Sequence, residues 1–196
     1  DLNYHRIESV IGHEYFHNWT GNRVTLKNWF QLTLKEGLTV FRDQEFSSDL
    51  NDAAVERIDM VKSLKERQFS EDAGALAHPI RPEKYKEMNN FYTATVYEKG
   101  AEVIRMLHTL LGEEKFQKGM KEYFKLYDGK AITTEDFLNV MAKQDTRIDK
   151  DLFSRWYQTP GTPRVEITEK YDDGVLTLKF EQTNPIAKDQ GLGFEE

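Results

Sequence analysis

Two histidines four residues apart, His13 and His17, enclose a glutamate in the run His13-Glu14-Tyr15-Phe16-His17. On an α-helix, positions i and i+4 share a face one turn apart. Two imidazoles presented in that way can reach one ion at ~2.0–2.1 Å, the length of a zinc–histidine bond. Glu14 is displaced around the helix, so it can miss the metal and face a water that the metal activates, which is the place of a general base. A catalytic zinc takes three protein ligands and keeps one position open. Glu36 is the best candidate for the third: eighteen residues separate it from His17, and an antiparallel second helix would return it to the metal. One zinc ion per chain is the expectation.

Plainer readings compete. Two histidines can simply sit on the surface of an amphipathic helix, and a glutamate at a helix start is often only a favourable partner for the helix dipole. Val10, Ile11 and Phe16 flank the histidines, however, which predicts a buried face. Neutral imidazoles on a buried face need a shared partner. Asp43 follows Glu36 by seven residues and falls near the same helix face, where it could hold a ligand histidine by its second nitrogen. A solvated Asp beside Arg42 is the alternative. His5, His78 and His108 are not expected to be ligands.

The elements that must position these residues follow from periodicity. Residues 6–18 read as a helix through Ile7, Val10 and Ile11, and 18–28 as a loop containing Gly21. A second helix is predicted at about 34–47, with Leu34, Leu38 and Phe41 inward. A third is predicted at about 52–69, with a stripe of Val55, Ile58, Val61 and Leu64. His78-Pro79 and Arg81-Pro82 break helical structure, so 70–92 reads as an extended, irregular segment. Residues 95–111 form a strongly apolar helix with Gly112 as its stop, and 113–127 another, ended by Asp128-Gly129. Thr133 to Asp136 resembles a capping box, and a last short helix carries Leu152, Phe153, Trp156 and Tyr157. After the hinge Pro160-Gly161-Thr162-Pro163, two alternating strands, 164–170 and 175–182, flank the turn signal Asp172-Asp173-Gly174.

The chain has 196 residues, 38% of them hydrophobic, enough to fill a core and to exclude a disordered reading. A formal net charge of -7 argues against nucleic acid and against a polybasic membrane patch. With no Cys there is neither a disulfide framework nor a thiolate ligand, which fits a reducing compartment such as the cytoplasm. No apolar run approaches a membrane span, and no signal peptide opens the chain. A start at Asp1 and a stop at Gly-Phe-Glu-Glu suggest a piece of a longer polypeptide, whose remaining domains would be its first partners.

Taken together, His13-Glu14-Tyr15-Phe16-His17-Asn18-Trp19, the gap to Lys35-Glu36-Gly37, Asn89-Asn90-Phe91-Tyr92 and Val96-Tyr97-Glu98-Lys99-Gly100-Ala101 resemble the aminopeptidase N family of gluzincin zinc metallopeptidases, nearest its bacterial alanyl aminopeptidase branch. The match runs over essentially the whole chain. The resemblance implies a mainly α fold: a thermolysin-like helical catalytic part over residues 1–160, then the start of a small β-sandwich at 161–196. It implies that Tyr97, which spacing alone reads as a core residue, is the catalytic tyrosine that donates to the oxyanion. It implies that Tyr92, otherwise plain packing beside Phe91, lines the first specificity pocket.

The expected reaction is zinc-dependent hydrolysis of the N-terminal residue from peptides. One departure matters: the family reads the substrate's free amine with a Gly-x-Met-Glu-Asn motif upstream of the two histidines, and this chain, with only twelve residues before His13, lacks it. The excised chain is therefore not expected to be a competent aminopeptidase by itself. A thermolysin-type endopeptidase shares the zinc chemistry and is the first alternative. A non-catalytic zinc-stabilised peptide-binding module is the second, disfavoured because a structural zinc normally takes four protein ligands.

Overall fold

The structure, a computed structural model, describes residues 2–184. Helix α1 (Leu2–Phe16) leads through a turn into a two-residue strand β1 (Thr25–Leu26) and then into α2 (Leu32–Leu50), the longest helix. Helix α3 (Ala53–Ser63) starts at Asp52, whose carboxylate accepts from the N–H groups of Ala54 and Val55. A π-helical turn, Leu64–Gln68, joins α3 to the short α4 (Phe69–Asp72). A second π-helical turn, Thr95–Lys99, opens α5 (Gly100–Leu111). Helix α6 (Glu113–Tyr127), strand β2 (Ala131–Ile132), α7 (Thr134–Ala142) and α8 (Lys150–Gln158) complete the helical unit. Strands β1 and β2 pair in parallel, Thr25 with Ala131 and Leu26 with Ile132, tying the first loop to the far end of α6.

The fold is mainly helical, as expected, and its core lies between α2 and the helices that follow it in the second half. Leu38 and Leu107 are fully buried where α2 meets α5, and Phe116, Tyr123, Phe137, Met141, Phe153 and Tyr157 extend the same cluster. Thr133 caps α7 as its sequence predicts: its hydroxyl accepts from the Asp136 N–H, and the Asp136 carboxylate accepts from the Thr133 N–H. The segment between α4 and Thr95 lacks long helices but is not loose. It buries Ala77, His78, Ile80 and Phe91. His78 donates from Nδ1 to the Leu76 carbonyl at 2.7 Å and accepts at Nε2 from the Thr93 hydroxyl at 2.8 Å, while burial lowers its pKa and keeps the ring neutral.

Two predicted apolar faces do not enter this core. Ile7, Val10 and Ile11 of α1 are 53%, 60% and 63% exposed, against the expectation of a buried face around the histidines. Val55 and Ile58 of α3 are likewise exposed. Helical spacing identifies a common stripe but not what covers it; α1 is held instead by its other side, where Gly12 lies against Phe46 of α2. The hairpin shows the same pattern. Strands β3 (Arg164–Asp172) and β4 (Val175–Thr183) pair antiparallel, with Ile167 opposite Phe180 and Tyr171 opposite Leu176. Asp173 and Gly174 form the two-residue turn, both at positive φ, the geometry that favours a tight hairpin. One face carries Val165, Ile167, Tyr171, Leu176, Leu178 and Phe180, and all six are exposed. The rest of the region expected to begin a β domain, 185–196, lies outside the described residues.

Candidate metal centre

Helix α1 presents His13 and His17 one turn apart, their rings 4.5 Å between centroids and perpendicular. Helix α2 runs beside it and brings Glu36 between them. Glu36 Oε2 lies 3.3 Å from His13 Nε2 and 3.1 Å from His17 Nε2. One donor atom from each of the three residues falls within 4.8 Å of the others.

The outer nitrogens decide what the inner ones offer. His13 Nδ1 sits 2.7 Å from Asp43 Oδ2, and His17 Nδ1 sits 3.0 Å from the Thr20 carbonyl. Both partners only accept, so each Nδ1 carries a proton and each neutral ring turns the Nε2 lone pair inward. Two imidazole lone pairs and a carboxylate oxygen then converge, and such a set is stable only around a positive charge. Without a metal the same cluster draws a proton instead, and a ring that takes one donates from Nε2 to Glu36. Burial of His13 opposes its protonation, but Asp43 and Glu36 outweigh it and raise its pKa to about 9. Burial alone would raise the Glu36 carboxyl, yet bonds from His13, His17 and Lys35 hold it well below the usual carboxylate range. Burial pushes Asp43 up, against the pull of its bond to His13. Nitrogen and oxygen donors in this number fit a zinc ion with an open position, and a metal would replace the proton that the cluster otherwise attracts.

Neighbouring residues fix the ligands in ways that sequence reasoning missed. Lys35 Nζ pairs with the outer oxygen of Glu36, although adjacent helix positions do not face each other and its long stem alone permits the contact. Thr20 and Thr39 share a 2.7 Å hydroxyl bond under His17. Arg42 donates to the Phe16 carbonyl and to the Thr20 hydroxyl, both at 3.1 Å, closing the end of α1. None of these polar contacts has a period in the sequence.

Glu14 is exposed on the side of α1 next to the two histidines and is not among the three convergent donors. Tyr97 projects from the π-helical turn. Its ring lies nearly parallel to His13 at 6.4 Å, with Tyr92 at 6.4 Å on another side. Burial, then the charge of Glu36 and a hydrogen bond to it, push the phenol pKa well up, with smaller contributions from Tyr92 and Glu14. Tyr97 is thus a neutral donor aimed at the centre. Tyr92 is half-exposed and also meets Trp29, at 6.5 Å. A cavity of about 740 Å³ opens beside the centre, lined by His13, Asp43, Tyr92, Tyr97 and Glu98 among others.

The turn that carries Tyr97 is set against α2 by close backbone contact. A Cβ added to Gly37 would stand 2.8 Å from the Gly100 carbonyl carbon and 2.9 Å from its Cα. Beside this contact, the Thr33 hydroxyl donates to the Val96 carbonyl at 2.8 Å. Gly37→Ala is expected to destabilise the fold by ~1–3 kcal/mol through overpacking against backbone that cannot yield cheaply. Denaturant unfolding measures it, and an unchanged midpoint would show that the two helices have room to separate.

The Peptidase family M1 domain matches residues 1–156. The chain is 61% identical over 192 residues to Aminopeptidase N of Haemophilus influenzae, covering 97% of this chain and 22% of that protein. It is 59% identical to Aminopeptidase N of Escherichia coli with the same coverage, so it spans about a fifth of the length of these relatives. Among solved structures it is similar to Legionella pneumophila aminopeptidase A in complex with aspartic acid, with a TM-score of 0.78 and 32% identity over 95% of this chain and 21% of that one. An M1 zinc metallopeptidase from Deinococcus radiodurans shares the fold, with a TM-score of 0.60 at 22% identity over 76% of this chain and 32% of that one. With that domain matched over most of its length and its metal-donor set assembled on α1 and α2, the chain belongs to peptidase family M1.

Proposed function

We propose that this chain is the metal-bearing part of a zinc aminopeptidase that removes the N-terminal residue from peptides. The observation that carries the reading is the convergence of His13, His17 and Glu36 with their inward lone pairs fixed by Asp43 and Thr20. These three residues hold one zinc ion per chain. When bound, zinc supplies Lewis-acid polarisation of the scissile carbonyl and acidifies water. Glu14 takes the proton of the attacking water and passes it to the leaving amine. Tyr97 donates its phenolic hydrogen to the developing oxyanion. Asp43 keeps His13 in the tautomer that faces the centre. Tyr92 lines the pocket for the first substrate side chain.

The residues that anchor the substrate amine belong to the rest of a longer polypeptide, in keeping with relatives of which this chain spans 22%. Residues 1–160 are then the later part of the catalytic domain, and 161–196 the start of a β-sandwich whose second sheet covers the apolar face of the hairpin. No helix among the described residues is long and apolar enough to cross a membrane. That observation and the absence of Cys fit a cytoplasmic enzyme acting on peptides.

The test is zinc content by elemental analysis together with Glu36→Ala. One equivalent in the native protein and a small fraction of that in the variant is the expected result. Equal zinc in both would remove Glu36 from the ligand set. At the length of the relatives, free peptides should be cleaved and N-acetylated ones spared; cleavage of blocked peptides would instead make the enzyme an endopeptidase.

A further inference from the structure

Away from the candidate metal centre, a buried ion pair ties the linker after α8 to the turn that carries Tyr97. Lys99 Nζ lies 2.6 Å from Asp72 Oδ2, and the residues are 8% and 1% exposed. Between them they engage both backbone groups of Gly161: its N–H donates to Asp72 Oδ1 at 2.9 Å, and its carbonyl accepts from Lys99 Nζ at 2.9 Å. Gly161 has φ +89°, a conformation that disfavours other residues. Asp72 also accepts from Gln68 Nε2 at 2.8 Å, and the same amide reaches the Thr95 hydroxyl at 3.3 Å. The Thr95 N–H donates to Glu71 at 2.8 Å. So α4 and the end of the preceding π-helical turn grip the turn 95–99 at its first residue and its last. Tyr97 lies between the two grips.

An ion pair at this depth is a poor source of stability, because the cost of removing two charges from water offsets their attraction. What it supplies is a fixed geometry: all its partners must be in place together. We infer that the Asp72–Lys99 pair, closed by Gly161, is a positioning device for Tyr97, through which the seating of the 160–163 linker sets transition-state stabilisation at the metal centre. The inference rests on the aminopeptidase reading above and on the role given there to Tyr97. Asp72 and Lys99 are not among the candidate metal donors and act only through the turn.

The experiment is a double-mutant cycle in the zinc-loaded protein at the length of its relatives. Asp72→Asn keeps the shape of the side chain and removes its charge. It is expected to lower kcat ~10–100-fold, the effect of a small misplacement of a catalytic group, with KM and zinc content nearly unchanged. In a Tyr97→Phe background the same substitution should cost less than about twofold, because the group it positions is already gone. Gly161→Ala attacks the clamp from the linker side, spares both charged side chains, and should show the same dependence on Tyr97 even if Asp72→Asn folds poorly. Losses that multiply in the double variants, or a loss carried by KM, would overturn the inference and leave a merely structural ion pair. Full turnover in Tyr97→Phe by itself would overturn the role of Tyr97 and this inference with it, and that outcome is read without any Asp72 variant.

Discussion

Glu14→Gln, in the zinc-loaded protein at the length of its relatives, should retain its metal and lose almost all turnover, with kcat lower by ~10²–10⁴-fold, the usual contribution of a positioned general base. The amide keeps the size of the carboxylate but cannot take a proton. Glu14 is exposed beside the centre rather than among the three donors, so its replacement leaves the metal-binding atoms of His13, His17 and Glu36 where they are. Zinc by elemental analysis and steady-state turnover of an unblocked peptide measure the two halves of this result. Turnover within tenfold of the native protein would take Glu14 out of the mechanism, and loss of zinc would make it a ligand instead.

The second large effect is expected at Tyr97. Its phenol is kept neutral, above all by burial and then by the charge of Glu36, so it remains a donor across the working pH range. A donor that strengthens its bond as the carbonyl oxygen becomes an anion helps the transition state more than the bound substrate. Tyr97→Phe should therefore lower kcat ~10²–10³-fold, as loss of one oxyanion donor does, and change KM little. The Phe ring can still stack on His13, whose ring lies 13° from parallel with the tyrosine, so the packing of the site is preserved. A rise in KM at constant kcat would assign Tyr97 to substrate binding alone.

How far the sequence reaches depends on the kind of signal. The pair His13 and His17 is legible because four residues make one turn and the motif is local. Glu36 is legible through the length of the gap, since α1 and α2 must pack side by side for it to return. The core face of α5 is legible too: Val103, Ile104, Leu107 and Leu111 are all buried. What is not legible is anything that depends on a distant partner. Ile7, Val10 and Val55 have the right type and spacing for a core, but no element among the described residues covers them. Lys35, Thr20, Thr39 and Arg42 support the centre through isolated polar contacts, and such contacts leave no periodic trace. The π-helical path at 95–99 reads in the sequence as ordinary helix, because side-chain type does not report which carbonyl a backbone N–H will choose.

That path amounts to one surplus residue. A π-helical turn arises where a chain holds one residue more than an α-helix needs to span the same distance. Helix α5 after Gly100 keeps its register with the core, so the surplus is absorbed wholly on the N-terminal side, where Tyr97 lies. Deleting a single residue from this stretch would let the backbone return to an α-helical course and leave the apolar face of α5 untouched. The positions before Gly100 would then rotate by up to ~100° about the axis, the angular step of one residue. The phenol would leave the metal centre, and Val96, buried against Leu32 and Phe91, would turn with it, while the apolar face of α5 after Gly100 kept its contacts. Such a protein would keep its candidate metal donors on α1 and α2, and its lost chemistry would trace to chain length rather than to any changed side chain.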